Sequence, residues 1–174
     1  MTPTFSQFPG LPAAGVEPIY SGQATIWIAA PPERVYALVS DLTRMGEYSP
    51  ECYKVTWLDG ASGPAVGARA RGWNSYHGMR WARDVVILVA EPGREFTFQT
   101  IPQAPMYLDS NVWRYQFAAG EGGTSVTESF ATVKIAPWIR AFEIITRRPN
   151  KMPGWMQQTL ERIKAASEKS EYQP

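Results

Sequence analysis

Cys52 is the only thiol and His77 the only imidazole in a chain of 174 residues. A lone cysteine excludes an internal disulfide. The three or four nitrogen and sulfur ligands of a zinc site are not there either. As a nucleophile, Cys52 would need His77 for its base. The simpler reading is a small, partly buried hydrophobic side chain. No clustered carboxylates, phosphate-cradling loop or nucleophile–base pair is written into the chain, so neither a metal nor a cofactor is expected. A charge excess is missing as well: 17 basic residues balance 16 acidic ones, for a net charge of +1. Sequence-independent binding of nucleic acid needs a basic excess, and that class is set aside. Long apolar runs are also absent. The longest aliphatic stretch, Val85 to Ala90, is far too short for a bilayer, so stable membrane insertion is not expected. The first twenty residues carry no Lys or Arg and are broken by Pro3, Pro9, Pro12 and Pro18, unlike a secretory leader. These absences predict a cytoplasmic protein with a flexible arm over residues 1–20 and a single domain over residues 21–170.

What the chain has in surplus is aromatic: seven Trp, eight Tyr and seven Phe. The stretch RGWNSYHGMRWARD, Arg71 to Asp84, combines them with arginines and the sole histidine. Its alternation, and that of its neighbours, is the two-residue period of strands. Gly22–Ala30 reads as a first strand. PPERVYALVSDL follows as a helix, its prolines in the first turn and Val35, Leu38, Val39 and Leu42 at helical spacing. A short helix over Thr43–Tyr48 ends at Ser49-Pro50. Further strands are predicted at Cys52–Leu58, Ala68–Trp73, Arg80–Ala90, Glu95–Thr100, Asn111–Ala118 and Thr124–Ile135. They are separated by turn-forming segments, as in an antiparallel meander. Ile101–Ser110, with two prolines, reads as an edge loop. Trp138, Phe142 and Ile145 mark one more helix. A last helix is predicted from Pro153 to Glu168, capped by Asn150, with Met156, Leu160 and Ile163 on one face.

Several segments together resemble a known family: ATIWIAAPPERVYALVSDLTRMGEYSPE, VGARARGWN, RWARDVVILVAEPGREFTF, WRYQF and GGTSVTE. They are similar to the polyketide cyclase/dehydrase-like branch of the SRPBCC superfamily, which includes START lipid-transfer domains and the birch-pollen-allergen fold. The resemblance spans about residues 20 to 168. It implies an α+β helix-grip fold: a curved seven-stranded antiparallel sheet wrapped around a long C-terminal helix, two short helices after the first strand, and an apolar cavity between sheet and helix. The helix at Pro137–Thr146 departs from the simplest pattern, and suits either the cavity mouth or a homodimer contact.

Strand alternation sorts inner from outer residues. Trp113, Tyr115 and Phe117 oppose Val112, Arg114 and Gln116, and the aromatic set is taken as inner. Val126 and Phe130 bring Glu128 inward with them, unless a bulge leaves it at a solvated rim. A carboxylate in an apolar cavity needs a partner or a proton. Trp81, Val85 and Ile87 bring Arg83 inward, where Glu128 is its expected partner. Ala68, Ala70, Gly72 and Asn74 form the small-residue side of the neighbouring strand. A slip at Gly72 would exchange Asn74 for Trp73. His77, beside Gly78 at the hairpin tip, reads as solvent-exposed. Tyr48, Tyr53, Trp57, Phe98, Met106, Trp155, Met156 and Leu160 complete the expected ligand-binding wall.

Three functions compete. The first is binding of a hydrophobic small molecule, such as a lipid, polyketide or aromatic metabolite. The second is a polyketide cyclase or dehydratase, with Glu128 as acid or base, Arg83 stabilising an enolate, and Tyr115 or Asn74 orienting the substrate. The third, by resemblance to chaperone-activator domains, is a protein-interaction module using an apolar patch on Trp138–Ile145.

Overall fold

The computed structural model describes residues 17–106 and 108–169. Most of the arm expected over residues 1–20 lies outside these residues, and strand β1 (Tyr20–Ile28) already begins at Tyr20. It is followed by α1 (Pro32–Ser40), a 3-10 turn (Leu42–Arg44) and α2 (Met45–Tyr48). Then come β2 (Cys52–Trp57), β3 (Arg69–Tyr76), β4 (Met79–Glu91), β5 (Glu95–Thr100), β6 (Ser110–Gly120) and β7 (Gly123–Lys134). Helices α3 (Pro137–Thr146) and α4 (Arg148–Glu168) follow. The strands form one seven-stranded antiparallel sheet in the order β1-β7-β6-β5-β4-β3-β2. Strands β3 to β7 each lie beside their predecessor, and β1 pairs with β7, which leaves β1 and β2 at the two ends of the order. This is the helix-grip arrangement, with α4 gripped by the curved sheet.

The predicted elements recur with shifted ends. The β3–β4 turn tightens to His77 and Gly78, both at positive φ (49° and 77°). That is the mirror-image turn whose twist matches paired strands. Helix α1 starts at a proline and buries Val35, Tyr36 and Val39 on one face. Helix α4 starts at Arg148, and Asn150 lies inside its first turn instead of capping it. The joint is Arg147, whose left-handed backbone (φ 52°) ends α3 and opens α4 with no linker. Pro149 sits where a helix has no use for an N–H. Pro153 removes one helical hydrogen bond, but its ring rests against β1: a Cβ on Gly22 would lie 3.3 Å from Pro153 Cγ. Tertiary packing thus offsets a local defect that favoured a later start.

The main core joins α1, the sheet and the far half of α4 through Ile28, Val35, Val39, Phe96, Val126, Leu160 and Ile163. Full burial of each such aliphatic side chain contributes about 1.5–3 kcal/mol. A smaller cluster of Phe130, Met152 and Met156, flanked by Trp113 and Trp155, holds the near half of α4. The rings of Phe96, Phe98, Trp113 and Phe130 join the two clusters along the sheet, but elsewhere between them a gap is left beneath α4.

Candidate functional site

That gap is a cavity of about 460 Å³. Its walls are the inner faces of β2 to β7, its roof is α4, and its mouth is edged by α3 and the loop before β6. Most of the lining is apolar, including Leu42, Met45, Val55, Val85, Phe98 and Trp113. On β3 the inner positions are Ala70, which is fully buried, and Gly72 and Asn74, which face the cavity. Trp73 lies on the other face, under the Lys54 ammonium. Gly72 leaves space that a larger side chain would occupy.

Polar chemistry enters at three places. On the floor, Tyr115 and Glu128 are direct cross-strand partners, and the Tyr115 hydroxyl donates to Glu128 Oε1 at 2.8 Å. Glu128 is only 3% exposed, which rules out the solvated-rim placement. Burial pushes its carboxyl up to about 8, with the Tyr115 hydrogen bond pulling weakly the other way. Burial, with Glu128 adding to it, likewise drives the Tyr115 phenol well above its ordinary range. At neutral pH the pair is therefore a neutral acid beside a neutral phenol.

The second place is Arg83. Its guanidinium donates to Asp109 Oδ2 at 2.5 Å, to the Asp109 carbonyl at 2.9 Å and to the Ile101 carbonyl at 3.3 Å. The expected pairing of Arg83 with Glu128 is thus corrected. Register explains why: Glu128 lies level with Tyr115, Phe96 and Ala90, while Arg83 sits well along β4 from Ala90, beside the residues that lead into β6. The third place is Arg148. It donates twice to Glu51 at 2.7 Å and once to Glu143 at 2.9 Å, tying α4 to the residue before β2 and to α3. Burial opposes the Arg148 charge, but the two carboxylates hold its pKa above the ordinary value. Burial in turn pushes the Glu143 carboxyl up against the pull of Arg148.

Of the residues expected at the wall, Asn74, Trp81, Arg83, Phe98, Met106 and Trp113 line the cavity, as do Tyr115, Glu128, Trp155 and Met156. Five do not. Tyr53 is 48% exposed beneath Arg80, because a bulge between Cys52 and Lys54 turns Cys52 and Val55 inward instead. Trp57 is half-buried and packs on the edge of the main core. Tyr48, Phe117 and Leu160 are buried in that core and do not line the cavity, Phe117 lying against the Tyr36 ring of α1. Glu51, Asp109, Glu143 and Arg148 line the cavity but were missed. For Arg148 a signal existed: starting the last helix there puts Arg148, Met152 and Met156 at i, i+4 and i+8, on one stripe.

Cys52 lines the cavity as a thiol, since burial pushes it up to about 11, and it donates to the Lys54 carbonyl. His77 stays exposed at its turn. Trp138, Ile139 and Phe142 of α3 edge the mouth, and the Trp138 indole donates to the Met106 carbonyl at 3.0 Å. Ile144 and Ile145 point outward. Among the described residues no His, Cys, Asp and Glu side chains group as a metal-binding set, and no helix is long and apolar enough to cross a membrane.

Residues 21–168 match the model of a family described as polyketide cyclase / dehydrase and lipid transport. No curated protein matches the sequence significantly. Among solved structures, the polyketide-cyclase-like protein Cgl2372 from Corynebacterium glutamicum is 30% identical, with a TM-score of 0.54 over 88% of this chain and 97% of that one. The di-domain ARO/CYC StfQ from the steffimycin biosynthetic pathway shares 14% identity, with a TM-score of 0.68 over 86% of this chain and 51% of its own. Major latex-like protein 151 from Panax ginseng shares 13% identity, with a TM-score of 0.64 over 85% of this chain and 98% of that one. The last two show a common fold.

Proposed function

The chain belongs to the polyketide cyclase / dehydrase and lipid transport family, and from that premise we propose that it binds a neutral, hydrophobic small molecule in the cavity between sheet and α4. The observation that carries this reading is the cavity itself. A volume of about 460 Å³ falls within the few hundred to a thousand Å³ of small-molecule sites, and such sites combine apolar walls with few polar groups. The charged groups at the wall support a neutral occupant. Asp109 is the partner of Arg83, and Glu51 and Glu143 are the partners of Arg148. A lipid, polyketide or aromatic metabolite suits such a wall. Native mass spectrometry of freshly purified protein, followed by extraction and identification of adducts, tests the reading. It predicts a stoichiometric apolar adduct, or uptake from a panel of lipids and aromatic polyketides. A chain that takes up nothing from the panel refutes it.

The Tyr115–Glu128 pair favours a second reading, a cyclase or dehydratase. A neutral carboxyl in an apolar cavity can lend its proton to a ligand carbonyl oxygen, and the carboxylate left behind can take the α-carbon proton, so that the ketone becomes its enol and Glu128 ends neutral again. Arg83 is less suited to steady an enolate, because Asp109 already offsets its charge. An enzyme would lose turnover of a poly-β-ketone in Glu128→Gln while still binding it. A pure carrier would show no turnover in either form.

A further inference from the structure

The Glu128 carboxyl has two oxygens with different surroundings. Oε1 accepts the Tyr115 hydroxyl. Oε2 is buried and has no hydrogen-bond partner among the described residues. Glu128 nevertheless lines the cavity. Polar atoms shut away from water are normally satisfied, and an exception in a ligand site points to what the site receives. Because Tyr115 donates to Oε1, that oxygen acts as the carbonyl of the neutral acid, and the proton sits on Oε2.

We propose that Glu128 Oε2–H is a specificity donor for a carbonyl-type oxygen, so that the cavity selects apolar ketones, quinones, esters or lactones over hydrocarbons and free carboxylates. This rests on the cavity reading above and names the chemistry of its ligand. A hydrocarbon would leave Oε2 without a partner. A ligand carboxylate would have to bring its charge out of water onto a largely apolar wall, a cost that one neutral O–H does not offset. The cationic groups at the wall lie elsewhere: Arg83 against Asp109, Arg148 between Glu51 and Glu143, and Arg80 over the outward Tyr53 ring. The neighbouring Phe98 and Trp113 rings lie nearly parallel, 18° apart, and offer flat apolar surface beside the donor for a planar ligand.

The test uses three probes of one shape: 2-acetylnaphthalene, 2-isopropylnaphthalene and 2-naphthoate, titrated into the full chain at mildly acidic pH. Replacing Glu128 by leucine strands the ketone oxygen, and should weaken 2-acetylnaphthalene about tenfold while leaving 2-isopropylnaphthalene unchanged. Glu128→Gln keeps an N–H donor in place and should retain most of the ketone affinity. In the wild type the 13C resonance of the labelled ketone carbonyl should move downfield on binding, and in Glu128→Leu it should not. The proposal is overturned if the Leu variant weakens ketone and hydrocarbon alike, if the wild-type carbonyl resonance does not move, or if naphthoate binds tightest. In the first two cases apolar binding still stands for the cavity; in the third the neutral-ligand reading falls with the donor role. If the wild type binds none of the three, the cavity reading fails and the donor role fails with it.

Discussion

Between the pH where a carboxyl ionises in water and the pH where Glu128 ionises in the fold, the folded chain holds a proton that the unfolded chain has released. Its ordinary value is 4.5 and its buried value about 8. Stability contributed at this position is therefore complete below about 4.5, falls as pH rises toward about 8, and is flat beyond. The wild type, relative to Glu128→Gln, should lose up to roughly 4 kcal/mol across that window. Urea unfolding of both proteins at a series of pH values measures it, and parallel curves would contradict a buried proton. At Arg148 the balance is ionic. Replacing it by methionine leaves Glu51 and Glu143 buried without their shared cation, and should cost about 3 kcal/mol. A loss under 1 kcal/mol would mean that water reaches the two acids. Much of this residue-level picture was legible in alternation alone. Glu128 could be placed inside because Val126 and Phe130 flank it. Its partner could not, because partnership depends on register across strands. Arg83 and Glu128 share a sheet face, but different rows.

Elements obey the same division. Period and turn chemistry placed seven strands and the helices, since each is a local property of a few residues. What stayed hidden needed a second element for its explanation. The bulge that turns Tyr53 outward answers to the pairing of β2 with β3. The early start of α4 answers to Gly22, which lets the helix come close enough for Pro153 to rest on β1. A Cβ at Gly22 would stand 3.0 Å from the Phe130 ring and 3.6 Å from Met156. Gly22→Val should therefore lift the first turns of α4 from the sheet, cost about 1–3 kcal/mol through overpacking, and raise amide exchange in Arg148–Met156. Hydrogen exchange reads this directly. Unaltered protection there would show that β1, not the helix, yields.

For the molecule as a whole, an occupant of the cavity binds the folded chain and not the unfolded one. A ligand at a hundred times its dissociation constant should add about 2.7 kcal/mol, which for a chain of this size raises Tm by roughly 5–10 °C. A thermal scan with the naphthyl ketone checks the figure, and a flat response would count against the cavity as a binding site. The order of the strands carries a further consequence, for assembly. Strands β2 to β7 pair with sequence neighbours, but β1 pairs Ile28 with Thr124 and Tyr20 with Thr132, and α4 packs chiefly along β1. Such distant contacts are slow to form. Of the seven strands β1 is synthesised first and waits longest for its place, and α4, which packs along β1, follows all of them. The cavity is thus closed by the first and last elements of the fold arriving together. Until then the apolar inner face of the meander stands open, and a nascent chain stalled before α4 is the form most prone to aggregate.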